Sequence, residues 1–97
     1  MYTIPRGDTF SLAGYVLTNP PTNFTGWQVE VELLNRVERR VAMLEGRWLD
    51  PANGLIALSA PNSTMTWPTG ECYIRMTLIS PANERISRPP QKIFVSE

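Results

Sequence analysis

Polar and apolar residues alternate along much of this chain, most clearly in two segments. In residues 27–33, Trp27, Val29, Val31 and Leu33 alternate with polar residues, and residues 72–78 alternate in the same way. A period of two is typical of a β-strand that buries one face and exposes the other. Both segments are therefore predicted strands, and residues 72–78 are placed at the centre of the sheet.

Shorter apolar runs predict further strands at residues 1–5, 9–17, 55–60 and 85–95, the last interrupted by Pro89-Pro90. A stiff proline-containing loop is predicted over residues 18–23, and turns over residues 50–54 and 80–84. Short strands with a turn about every ten residues are typical of a sandwich. We predict an all-β fold, an immunoglobulin-like antiparallel β-sandwich of about seven strands, with residues 1–97 as a single domain.

Residues 35–50 allow two interpretations. Apolar residues at positions 37, 41, 44 and 48 recur at a helical spacing, which favours an amphipathic helix. The other interpretation is a hairpin, with a turn at residues 35–36 or 37–38 and a strand at residues 40–44. We favour the hairpin, because a lone helix between such short strands would need long connections and few residues remain for them.

The inward rows of the predicted strands define a candidate core. Its members are Phe10, Leu12, Val16, Trp27, Val29, Val31, Leu33, Ile56, Leu58, Ile74, Met76 and Leu78. Other apolar residues fall on rows that face outward, and a cluster of them on one sheet would mark a protein contact surface. These candidate protein-contact residues are Tyr15, Leu17, Leu34, Tyr73 and Ile79.

Unpaired sheet edges are a second candidate for contacts, because an edge strand can accept a further strand. The predicted edges are residues 2–4 and the proline-interrupted segment 85–95.

Composition argues against most catalytic chemistry. The chain has no histidine and one cysteine, Cys72, so the usual general base, a zinc ligand set and an internal disulfide are all missing. Lys plus Arg and Asp plus Glu are 9 each, so the chain is neutral and lacks the electrostatic footprint of a nucleic-acid-binding protein. No apolar run approaches the roughly 18 residues of a membrane helix. We expect no enzyme activity, no catalytic residue, no cofactor, no metal, and neither nucleic acid nor membrane as a partner.

An ordered set of motifs resembles the small immunoglobulin-like modules of bacteriophage and prophage tails. The motifs are Ile4-Pro5-Arg6-Gly7-Asp8-Thr9-Phe10, Phe24-Thr25-Gly26-Trp27, Asp50-Pro51-Ala52-Asn53-Gly54, Thr66-Trp67-Pro68-Thr69-Gly70 and Tyr73-Ile74-Arg75-Met76. The resemblance implies a structural component of the virion, assembled in the bacterial cytoplasm, in a baseplate, tail fibre or adaptor. It implies other tail or baseplate proteins, or copies of the same chain, as partners, and no catalytic residues. In isolation such a module is expected to be a monomer or a weak dimer.

The alternative function is a carbohydrate-binding or cell-surface adhesion module. Trp27 and Trp67 could provide stacking platforms for sugars, although both begin predicted strands, which favours a packing role. Arg6-Gly7-Asp8 matches the tripeptide that integrins recognise, but its residues also suit a turn before a strand. We expect the turn.

Overall fold

A computed structural model of the chain describes residues 2–18 and 22–97. Over these residues it forms eight strands and a 3-10 helix, Thr64–Thr66. The strands are β1 (Tyr2–Pro5), β2 (Ser11–Tyr15), β3 (Gln28–Leu34), β4 (Arg40–Asp50), β5 (Leu55–Ser59), β6 (Gly70–Ile79), β7 (Arg85–Ser87) and β8 (Gln91–Ser96). The all-β prediction is confirmed. Met1, at the start of the first predicted strand, and residues 19–21, in the predicted loop, lie outside the described residues.

The strands form one curled sheet in the order β1-β8-β6-β3-β4-β5-β2. Strand β7 pairs with β6 beside β8, because Pro89-Pro90 divides the predicted last strand in two. Neighbouring strands are antiparallel, as predicted, except that β1 runs parallel to β8. A parallel pair is possible here because β1 and β8 are not joined by a hairpin: the chain passes from β1 to β2, in the other layer.

Strand β4 joins the two layers of the sandwich. Its first half, up to Leu44, pairs with β3, and its second half, from Glu45, pairs with β5. Gly46 lies just after this crossing, where a Cβ atom would come within 2.8 Å of Val29 Cγ1 and 3.1 Å of Val31 Cγ2. The layers can approach closely at this point because glycine leaves the space that a side chain would fill.

The hairpin interpretation of residues 35–50 is correct, and the helical one is wrong. Asn35 organises the turn, since its Oδ1 accepts hydrogen bonds from the backbone N–H groups of Val37 and Arg39, each at 3.0 Å. Glu38 has a φ of 61°, which closes the turn. The helical spacing was coincidental: Val37 and Val41 are exposed, while Leu44 faces the core.

The core lies between the two layers. Most of the predicted core residues are buried, whereas Leu12, Trp27, Val29 and Met76 are partly buried at its margin. Aromatic side chains extend the core at both ends. Phe10 packs against Trp67 at a ring distance of 5.4 Å, and Phe24 stacks on Trp48 at 4.8 Å.

The buried thiol of Cys72 gives a direct test of this packing. Burial raises the pKa of Cys72 above its ordinary value of 9.0. We expect the native protein not to react with a thiol-reactive aromatic disulfide at about pH 8, and the unfolded protein to react fully, because the thiolate is the nucleophile. Rapid reaction of the native protein would contradict the burial of Cys72.

As the pH rises, the Cys72 thiol of the unfolded chain loses its proton before that of the native protein does. The free energy of unfolding should therefore decrease above about pH 9.

Candidate functional site

The structure divides the predicted contact residues between two separate faces. Tyr15 and Leu17 lie on and just after β2, with exposed fractions of 64% and 74%. Leu34, Tyr73 and Ile79 lie on the outer face of the other layer, on β3 and β6. The predicted residues therefore do not form one surface.

Leu34 and Ile79 require a correction, because they are buried, with exposed fractions of 1% and 9%. They do belong to the outward rows. Leu34 is opposite Arg40 and Tyr73, and Ile79 is opposite Gln28 and Arg85. Long side chains directly opposite a residue can cover it. Neither side chain is available for a contact in the folded domain, and Tyr73 is only partly exposed.

Ion pairs cross the outer face of this layer. Arg75 Nη2 lies 2.8 Å from Glu32 Oε1, and Arg85 Nη2 lies 2.7 Å from Glu30 Oε2. The hydrogen bond from Arg85 lowers the pKa of Glu30 below its ordinary value. Because these charges are balanced within the face, it offers little attraction to a charged partner.

Within the described part of the chain, the free edges of the sheet lie at β1, at β2 and at the short strand β7, which pairs with β6 alone. The edge predicted at residues 2–4 is confirmed. The edge predicted over residues 85–95 is right for β7, which has one neighbour, and wrong for β8, which is paired on both sides by β1 and β6. Natural edge strands are protected by shortness, proline or charge. β1 has four residues and ends in Pro5, and β7 has three residues and begins with Arg85, whereas β2 contains neither proline nor a charged residue. Strand β2 is therefore the least protected edge.

Alternate residues of β2 direct their backbone groups toward the free edge. Val16 N–H donates to Gly54 C=O at 2.8 Å, which continues the β2–β5 register and identifies the even-numbered residues as the hydrogen-bonded positions. In an antiparallel pair the intervening residues point their N–H and C=O groups away from the partner. These residues are Ser11, Ala13 and Tyr15. Leu17 continues the series, and its carbonyl accepts a hydrogen bond from Arg88 Nη2 at 3.2 Å.

A groove of about 500 Å³ lies between β2 and the segment that joins β7 to β8. Its floor includes the apolar side chains of Leu12, Val16, Ile74 and Met76, and its rim includes Tyr15, Arg88 and Lys92. The described residues that line it include two cationic side chains and no carboxylate. The groove and the edge of β2 together form the candidate site for a protein contact.

Sequence reasoning found only part of this site. It placed Tyr15 on an outward row, and it assigned Leu12 and Met76 to the core, where they are half-buried beneath the groove. It missed Arg88, which reaches Leu17 across 71 positions of the chain. The sequence feature that could have pointed to Arg88 is Pro89-Pro90 directly after it, because a proline pair removes two backbone donors and interrupts the last strand.

The tryptophans considered for sugar stacking pack against other aromatic side chains. Trp67 is buried against Phe10. Trp27 is partly buried, with its ring 5.2 Å from that of Phe24, and its carbonyl accepts a hydrogen bond from Trp48 Nε1 at 3.1 Å. Neither ring offers a broad open face.

The segment Arg6-Gly7-Asp8 forms the predicted turn. Asp8 N–H donates to Pro5 C=O at 3.1 Å, and Gly7 N–H donates to Thr64 Oγ1 at 2.8 Å. Thr64 in turn donates to Asp8 C=O at 2.7 Å, so its buried hydroxyl holds both sides of the turn. These contacts give the tripeptide a structural role.

The described residues contain no group of three or more His, Cys, Asp or Glu side chains that could hold a metal ion. They also contain no helix that is long and apolar enough to cross a membrane. The arrangement instead offers unpaired backbone groups, an apolar floor and a cationic rim. Comparisons of the chain with protein-family models, with curated proteins and with solved structures give no match.

Proposed function

We propose that this chain is a non-catalytic protein-interaction module of a bacteriophage or prophage tail, in a baseplate, tail fibre or adaptor. The observation that carries the interaction role is the free edge of β2 beside an apolar groove. Unpaired edge backbone and partly exposed apolar side chains suit a protein partner. The ordered motifs supply the tail context, because they resemble those of tail-associated modules.

The proposed partners are other tail or baseplate proteins, or further copies of the chain. An edge of five residues is small compared with the interfaces of stable complexes. The isolated domain is therefore expected to be a monomer or a weak dimer. In a particle, many such contacts act together, so that avidity holds a module whose single contact is weak.

We expect the chain to be a component of purified particles. The test is to induce or infect the strain that carries the gene, purify the particles, and measure the chain by quantitative mass spectrometry. Deletion of the gene should give defective tails or non-infective particles, and expression of the gene in trans should restore them.

Normal tails and full infectivity after deletion, with the chain absent from wild-type particles, would refute the tail assignment. Binding of the purified chain to a glycan array, abolished by Tyr15→Ala, would instead support the carbohydrate-binding alternative.

A further inference from the structure

We infer that the groove beside β2 receives an extended strand from a partner protein, which pairs with the free edge of β2 and lays apolar side chains on the groove floor. The inference rests on the proposed function in one respect, that the partner is a protein. It adds the site, the conformation of the bound segment and its chemical character.

The backbone of β2 specifies an extended partner. Ser11, Ala13 and Tyr15 direct both a donor and an acceptor toward the free edge, as the β2–β5 register requires. Only another strand matches alternating donors and acceptors at this spacing. The carbonyl of Leu17 is already bound by Arg88, so the ladder to an incoming strand would end before Leu17.

The groove lies where the two layers of the sandwich are not joined by backbone pairing. On the opposite side β4 runs continuously from one layer to the other. On the β2 side the Arg88 side chain bridges the gap, while its own N–H donates to Met76 C=O at 2.8 Å. The core residues Leu12 and Met76 remain partly exposed in this gap. Alternate side chains of an added strand would cover them and remove apolar surface from water.

Charge favours a foreign strand over a second copy of this chain. Arg88 has no carboxylate partner among the described residues, whereas Lys92 lies 3.5 Å from Glu71. An aspartate or glutamate at one end of the bound strand would therefore pair with Arg88. A second copy that offered its own β2 would bring Ser11-Leu12-Ala13-Gly14-Tyr15, which contains no acidic residue.

The test uses the purified chain of 97 residues and a yeast-displayed library of random peptides of about nine residues, the length of a long strand. We expect the selected peptides to alternate apolar and polar residues and to carry an acidic residue near one end. Ala13→Pro should weaken their binding by about tenfold or more, because it removes an outward donor. Arg88→Gln should remove the preference for the acidic residue.

The comparison variant is Ala13→Thr, which retains the backbone N–H and should bind the selected peptides more tightly than Ala13→Pro does. Proline is tolerated on edge strands where its missing N–H faces solvent, so Ala13→Pro should fold, which thermal melting verifies. Hydrogen exchange on the native chain needs no variant. Peptide binding should slow exchange at the Ala13 and Tyr15 amides and leave the already paired Gly14 amide unchanged.

Several results would overturn the inference: no enriched peptide, selected peptides without alternation, or equal binding to Ala13→Pro. A concentration-dependent dimer in which the Ala13 and Tyr15 amides are already protected would assign the edge to a second copy, and would also overturn it. The experiment contains no phage particle. If peptides bind as expected but the chain is absent from particles, only the tail assignment fails. If the chain is present in particles but binds no such peptide, only the inference about the groove fails.

Discussion

Replacing Val31 by aspartate is expected to leave the chain unfolded. Val31 lies in β3 between Leu44 and Met76, with an exposed fraction of 1%. An unpaired carboxylate at such a site costs several kcal/mol or must bind a proton. The total stability of a domain is only about 5–15 kcal/mol. Far-ultraviolet circular dichroism and the dispersion of amide signals in nuclear magnetic resonance would measure the loss.

The neighbouring residue supplies the matched control. Glu30 points to the opposite face of β3, where it pairs with Arg85 in an exposed position. Exposed ion pairs contribute little to stability, so Glu30→Gln should melt close to the native temperature. An equal loss of structure in both variants would mean that the two faces of β3 have been assigned the wrong way round.

The inward and outward faces of β3 and β6 were predictable because each strand has one side against the core. Their periods of two are set by the geometry of the strand itself and need no knowledge of its partners. The hairpin at residues 35–50 was predictable for another reason: the short spacing between strands left no room for the connections of a helix.

The pairing of β8 was less accessible to sequence reasoning. The prolines before β8 indicated an edge, and this is right for β7, a strand of three residues whose one neighbour is β6. However, β1 returns from the other end of the chain and covers β8 as a parallel neighbour. The burial of Leu34 and Ile79 was missed for a similar reason, since the residues opposite them lie on other strands. Local patterns show which way a side chain points but not what lies opposite it.

The groove illustrates the same limit at the candidate site. Tyr15 and Leu17 were identifiable as apolar residues on an outward row, which is a local property. The groove itself depends on where the two layers stop pairing, and on Arg88 reaching the carbonyl of Leu17. Both are consequences of the tertiary fold.

Gly54→Ala is expected to destabilise the domain strongly at the junction of β2 and β5. Gly54 is buried, has a φ of +77°, and would place a Cβ atom 2.7 Å from the carbonyl oxygen of Val16. Its own carbonyl accepts the hydrogen bond from Val16 N–H that continues the β2–β5 ladder. Strain from the positive φ and the collision together should cost about 2–4 kcal/mol. For a domain of this size the melting temperature would fall by roughly 8 °C or more.

Gly14→Ala is the matched control, because the same atoms are added on β2 itself. A Cβ atom at Gly14 meets nothing within 4 Å. The substitution also reduces the conformational freedom of the unfolded chain, so stability should be unchanged or rise by up to about 1 kcal/mol. Calorimetric melting of the two variants beside the native protein measures the difference. If Gly54→Ala melts at or above the temperature of Gly14→Ala, the tight turn at residues 50–54 does not hold β2 in its register. The set of backbone groups assigned to the free edge of β2 would then have to be revised.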